Sequence, residues 1–503
     1  MLNRRNFVAA GVSAAALCAS PAARADQKSV SSLLDDYDAL GLAEQVGAHK
    51  VSPLELLEAA IERVEALNPR FNFMAQKHYE LAREAISRGL PEGPFRGVPW
   101  LLKDLNTYIA GEVTENGSRF YRGDRASVTS ELVLRTQRAG FVIFGKTTTP
   151  ELGLTATTES KLSGETRNPW DPDRIAGGSS GGAAAAVAAR VIPAAHATDG
   201  GGSIRIPASC CGLFGLKPSR GRIPMGPTRT EGWGGFSAHH ALTHTVRDSA
   251  AIMDATHGPE PGSRYSAPSP VETFLSQVGQ SPGRLRIALM PSPMTRTPVD
   301  AEALQAVLAA ARLCEDLGHH VEEAAPVLDP ARLGAASFVL SASSIAADLL
   351  DRAGATGRVP GPDELEAITL AFLAYGQQTT GMDYARANNT LQAGAVSVAQ
   401  FMADYDVILS PTLATPPLEL GRIDLSPDID FRAWGERIAT FSPFTQMANM
   451  TGQPSMSVPL AMSGSGLPMG VLFTGRYGQE ALLFRLAGQL ELAAPWIGRR
   501  PRL

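Results

Sequence analysis

Apolar residues recur at helical spacing near the start of the chain. Leu57, Ala60, Ile61, Val64 and Leu67 fall on one face. Ser52-Pro53-Leu54-Glu55 precedes them with an N-cap, a proline at the first helical position and a capping-box glutamate, and Asn68-Pro69 is expected to end the helix. The pattern then changes. Gly97–Asp104 carries a continuous apolar run that predicts a short buried strand with Lys103 at its end. A helix is predicted near Glu131–Ala139 and a second buried strand over Phe141–Gly145. Further on, Leu285–Met290 predicts a strand, Ala301–Leu317 a helix stopped by Gly318, and His320–Ala324 a strand. Residues Ala331–Phe401 predict helices. Val407–Pro411, Ser455–Pro459 and Gly470–Gly475 predict strands, and a terminal helix follows near Glu480–Leu492. Helix alternating with short apolar strand argues for an α/β sandwich around a mostly buried sheet.

The stretch Gly177–Pro207 follows neither period. Two glycine turns that carry serine, Gly177–Gly182 and Asp199–Ser203, bracket the alanine-rich segment Ala183–Arg190. Glycine at that density requires unusual backbone angles or close backbone approach, and alanine favours a helix that sits tightly against its neighbours. The expectation is loop, buried helix, short strand, loop, with both serine turns in one place.

Composition narrows the class. The chain has 503 residues, 44% hydrophobic and 19% charged, with a net charge of −5. That length exceeds a single small core and suggests one large domain with a subdomain, or two domains. No basic block points to nucleic acid. Four cysteines are too few for a disulfide scaffold, adjacent Cys210 and Cys211 are badly placed for a bridge, and no Cys/His spacing suggests zinc. The scattered histidines, His239 and His240 included, read as structural. No cofactor is implied. Arg4-Arg5-Asn6-Phe7, an apolar run to Ala19 too short to span a bilayer, and Ala23-Arg24-Ala25 occur in the order of an export leader. Residues 1–25 are therefore expected to be a twin-arginine signal peptide and the protein periplasmic, without stable membrane insertion. A soft boundary is expected at Gly258–Gly283.

Serine is a weak nucleophile unless a base takes its proton. His196, the one histidine of the core stretch, sits among apolar residues and reads as a packed core residue. Lysine serves as base when burial lowers its pKa. Lys103 is the best-placed candidate, with a strand-end lysine reaching solvent as the alternative. Gly200, Gly201 and Gly202 offer successive N–H groups beside Ser203, as an oxyanion hole requires; a plain tight turn is the alternative. The first glycine turn could instead hold a phosphate at a helix N-terminus, but the Gly-Lys-Ser/Thr of a P-loop is missing. Asp199 and Arg205 read as a structural ion pair.

These segments resemble the amidase-signature hydrolases. Gly177–Gly182, Asp199–Pro207 and Cys211–Pro218 are similar to the family signature, Lys103 lies in a similar lysine-containing segment, and Asn449–Pro459 and Gly466–Gly470 resemble its C-terminal landmarks. The resemblance covers nearly the whole chain after the leader. It implies one amidase domain over residues 26–503, with a signature core at about 93–225, a C-terminal substrate-pocket half at about 284–503, and a large mixed sheet covered by helices on both faces (α/β/α). It further implies a Ser–cis-Ser–Lys triad: Ser203 as nucleophile, Ser179 as cis-peptide relay and Lys103 as base, acting through a seryl acyl-enzyme on a small-molecule amide. Gly200 departs from the family, which often has a larger apolar residue there. Thr166–Trp170, Gly202–Ser209 and the tail from Pro495 to Pro501 point within the family to a cyclic amide. Three alternatives stand beside this reading. Gly178–Gly182 also fits G-x-S-x-G, an α/β-hydrolase elbow with Ser180 as nucleophile. An amidotransferase A-type subunit and a non-catalytic periplasmic binding protein are the others. A homodimer is left open.

Overall fold

The central sheet has eight strands in the order His320–Glu323, Arg286–Leu289, Val407–Pro411, Pro468–Gly475, Ser455–Met462, Phe214–Lys217, Ala238–Thr243, Ala194–Asp199. Arg286–Leu289 pairs in parallel with both its neighbours and the remaining pairs are antiparallel, so the sheet is mixed. This is a computed structural model, and it describes residues 30–426 and 430–503. The leader expected over residues 1–25 lies outside the described residues.

Alternation along the strands sends neighbouring side chains into opposite layers. Ile287, Val407, Leu409, Val471 and Phe473 pack with the helices Val246–Thr256, Ala301–Asp316 and Glu480–Ala493. Ala288, Ile408 and Leu472, one position away, pack on the other face with Val398, Met402 and Met447. Helices thus cover both faces of a large mixed sheet, the expected α/β/α sandwich. Pro330–Thr356, Ala367–Gln378 and Gly381–Phe401 pack together as a helical layer of their own. Pro330–Thr356 is long and apolar enough to cross a membrane by length and composition. Here it buries Leu333, Leu340, Ile345 and Leu349 against its partner helices, as a core helix does.

A three-stranded sheet, Met74–Lys77, Val142–Thr147 and Pro99–Lys103, docks on the Ala194–Asp199 edge. The Lys103 amide reaches a side chain there, donating to His196 Nδ1 at 3.1 Å. The edge strand is buried throughout, which blunts it against further pairing.

Two expectations needed correction. The capping-box helix runs Pro53–Phe71, through Pro69, and stops at Asn72 in the left-handed region at φ 52°. Pro69 lacks only one N–H, in the last turn, where the freed carbonyl of Glu65 can turn to water. The strands Phe214–Lys217 and Ala238–Thr243, sixth and seventh in the sheet order, are not among the strands the sequence predicts. They are short and interrupted by glycine or histidine, so periodicity gives little sign of them.

Candidate active site

Lys103 closes a strand whose five residues are all buried, and it is itself fully buried. Its Nζ lies 2.6 Å from Ser179 Oγ and 2.8 Å from Thr198 Oγ1. Burial lowers the Lys103 pKa well below the ordinary lysine value, and the Asp199 charge opposes that only in part. The solvent-reaching alternative for this lysine does not hold. His196 is buried as expected, and burial drives it toward the neutral form.

The first glycine turn presents Ser179 to this lysine. The Gly178–Ser179 peptide bond is cis. A side chain on Gly178 would strike the Thr157 backbone, so only glycine fits the approach. Ser180 looks the other way. Its Oγ donates to the Thr198 carbonyl at 3.1 Å and accepts the Thr198 N–H at 3.3 Å. The helix Gly181–Ala188 then leaves the turn with every residue buried, and the Gly181 N–H donates to Thr158 Oγ1 at 2.9 Å. Small side chains allow the helix to pack directly against the Ala194–Asp199 and Pro99–Lys103 strands.

The second turn is held by a buried ionic network. Arg205 grips Asp199 with two bonds of 2.9 Å, and both side chains are fully buried. Arg205 also donates to the Thr445 carbonyl and to Asn449 Oδ1, while Asn449 Nδ2 donates back to Asp199 Oδ1 at 2.8 Å. Burial alone would raise the Asp199 carboxyl; Arg205, Asn449 and Lys217 outweigh it and hold the group well below the usual range. The ion pair is structural, as expected. It also corrects the expected oxyanion donors. The Gly202 N–H donates to Asp199 Oδ1 at 2.8 Å, so it is already occupied. The amides of Gly200, Gly201 and Ser203 have no partner among the described residues.

Two cavities meet at Ser203. The larger, about 320 Å³, is lined by Gly200, Gly201, Ser203 and many apolar side chains, with Phe338, Phe372, Phe431, Trp434 and Trp233 prominent. Among the described residues, no charged side chain lines it. Most of its wall comes from residues beyond 330, on the helices Pro330–Thr356, Ala367–Gln378, Phe431–Phe441 and Gln446–Thr451 and at Ser442. The smaller, about 40 Å³, is polar: Ser179, Thr198, Ser203 and His239 line it, with the Arg229–Asp348 ion pair at its rim. The structure thus brings Lys103, Ser179 and Ser203 to one place and leaves Ser180 and Gly202 outside it.

Sequence reasoning missed Thr198 and the aromatic lining, read His239 as structural, and named Asn449 only as part of a landmark segment. Thr198 stands two residues after His196 on a strand, so the same face was readable once the strand was placed. Asn449 opens the segment Asn449–Pro459, whose likeness to a family landmark marks its place but not its bonds to Asp199 and Arg205; the aromatics have no local pattern to mark them.

The family described as Amidase matches residues 55–484. A 6-aminohexanoate-cyclic-dimer hydrolase of Paenarthrobacter ureafaciens is 38% identical over 483 residues, 93% of this chain and 96% of the relative. A putative amidase AmiC of Mycobacterium tuberculosis is 38% identical over 472 residues, with the same coverage. Among solved structures, a 6-aminohexanoate cyclic dimer hydrolase complexed with substrate superposes with a TM-score of 0.87 at 36% identity, covering 93% of this chain and 99% of that one. A bacterial aryl acylamidase of the amidase signature family superposes with a TM-score of 0.83 at 28% identity, covering 92% and 99%. With this fold, this signature and these relatives along nearly its whole length, the chain belongs to the amidase signature family of hydrolases and is an amidase.

Proposed function

We propose that this amidase works through a seryl acyl-enzyme, with Ser203 as nucleophile, Ser179 as proton relay and Lys103 as base. The observation that carries the reading is a fully buried lysine 2.6 Å from the Ser179 hydroxyl, with no carboxylate bonded to it among the described residues. Neutral Lys103 takes a proton from Ser179 as Ser179 takes one from Ser203. The Ser203 oxygen attacks the amide carbonyl carbon, and the oxyanion is held by the N–H groups of Gly200, Gly201 and Ser203. Gly202 is left out of that set because Asp199 occupies its amide. Ser179 then returns the proton to the leaving nitrogen, and water hydrolyses the ester by the reverse relay.

For the substrate we favour a neutral amide, and a cyclic one in particular. The uncharged aromatic cavity suits an uncharged acyl chain, and two relatives at 37–38% identity are named as cyclic-dimer hydrolases. Export by the twin-arginine route, on Arg4-Arg5 and Ala23-Arg24-Ala25, belongs to the same proposal. Assay of the purified protein on cyclic, aryl, fatty and peptide amides tests the substrate reading. Turnover of the 6-aminohexanoate cyclic dimer at a kcat/KM below those of the linear amides would reject it.

A further inference from the structure

His239 is a buried imidazole beside the site that the mechanism above does not use. It stands opposite Thr198 in the pairing of Ala238–Thr243 with Ala194–Asp199, so the two side chains share a face of the sheet. Thr198 Oγ1 is in turn 2.8 Å from Lys103 Nζ. Hydrogen bonds fix the tautomer of this histidine. The Lys103 N–H donates to His196 Nδ1, so that nitrogen carries no proton. His196 is then protonated on Nε2, which donates to His239 Nδ1 at 3.0 Å. His239 must carry its own proton on Nε2. Burial lowers its pKa to about 4, so at neutral pH it holds one proton only. The Nε2–H has no partner among the described residues, and His239 lines the small cavity together with Ser179 and Ser203.

The size of that cavity selects its occupant. At about 40 Å³ it has room for a few waters at roughly 10–15 Å³ each. We propose that the His239 Nε2–H holds the water that hydrolyses the acyl-enzyme, an inference that rests on the acyl-enzyme reading above. The water oxygen accepts this N–H with one lone pair and attacks the acyl carbon with the other. Its proton passes to Ser179 Oγ while Ser179 gives its own to Lys103 Nζ. The tetrahedral intermediate then expels Ser203 Oγ, which recovers the proton through Ser179, and the carboxylic acid departs. His239 keeps its proton throughout.

The role is specific to deacylation, and pre-steady-state kinetics separates it from a structural one. The probe is p-nitrophenyl acetate, which acylates the serine without a leaving amine. His239→Leu should show a burst of about one equivalent per enzyme, with acylation within about threefold of wild type and deacylation slowed about tenfold or more. His239→Gln keeps an N–H donor and should deacylate within about threefold of wild type. Hydroxylamine, which needs no held water, should speed turnover of His239→Leu more than that of wild type. If His239→Leu does not fold, His239→Met is equally donorless and carries the same expectation. Acylation and deacylation falling by the same factor, or deacylation unchanged in a folded donorless variant, would overturn the assignment. A wild type that forms no acyl-enzyme would instead remove the acyl-enzyme reading itself.

Discussion

Lys103 Nζ stands 2.6 Å from Ser179 Oγ, deep enough that no part of the lysine reaches solvent. Among the described residues, its only other polar side-chain neighbour at hydrogen-bond distance is Thr198, which is uncharged. Burial therefore decides the protonation state, and the neutral amine is favoured.

The first prediction follows from that sign. A base must be neutral, so activity should rise with pH through the lowered Lys103 pKa and fall away on the acid side. Lys103→Ala should remove both the activity and this acid limb. Lys103→Arg should not rescue, because guanidinium stays charged. The check is a kcat/KM profile against pH, with circular dichroism as the folding control. A folded Lys103→Ala within about tenfold of wild type, a loss of only about 1.4 kcal/mol, would eliminate the lysine as base.

The two serines of the first turn and the one of the second should respond differently to a serine-directed fluorophosphonate. Ser203→Ala should abolish labelling and turnover. Ser180→Ala should keep the label but lose about 1–3 kcal/mol of stability, because the Thr198 carbonyl and amide lose their partner in a buried setting. Peptide mapping that places the label on Ser180 would favour the α/β-hydrolase alternative.

Arg205 is the keystone of the nucleophile turn. Arg205→Met should cost roughly 3–5 kcal/mol, since it strands the buried Asp199 carboxylate. Asp199 has a lowered pKa in the fold, so its stabilisation is complete above the unfolded value near 3.8 and is lost as pH falls through the folded value. Urea unfolding at pH 7 measures the first, and a fall in stability between pH 7 and pH 3, below the unfolded value, measures the onset of the second. Loss of activity without loss of stability in Arg205→Met would contradict this structural role.

Gly435 tests the large cavity. It lies on the helix Phe431–Phe441, lines the cavity, and a Cβ there would meet no atom within 4 Å. Gly435→Leu should place an isobutyl group in the acyl space without disturbing the helix, which prefers leucine to glycine. KM for bulky amides should rise about tenfold while that for acetamide stays near wild type. An equal rise for both would mean that this cavity does not hold the acyl chain.

The proposed export rests on the leader sequence alone. Replacing Arg4 and Arg5 with lysine should leave the protein in the cytoplasm. Mature-length protein recovered from the periplasm of that variant would rule out the twin-arginine route.

What the sequence determined by itself is what local chemistry encodes. The glycine turns, the alanine helix between them and the apolar strand ending at Lys103 each follow from residue type and short spacing. The resemblance of these segments to a family then assigned Lys103, Ser179 and Ser203. Tertiary structure decided the rest. Whether Lys103 is buried or reaches solvent depends on the edge strand that covers it, whose His196 binds the Lys103 amide from far along the chain. Which glycine amides stay free depends on Asp199, itself held by Arg205 and by Asn449 from the far end of the chain. The substrate cavity is assembled from helices that touch only after the chain returns. Desolvation and a shared hydrogen bond act between groups that are close in space, so short-range periodicity has no means of recording them.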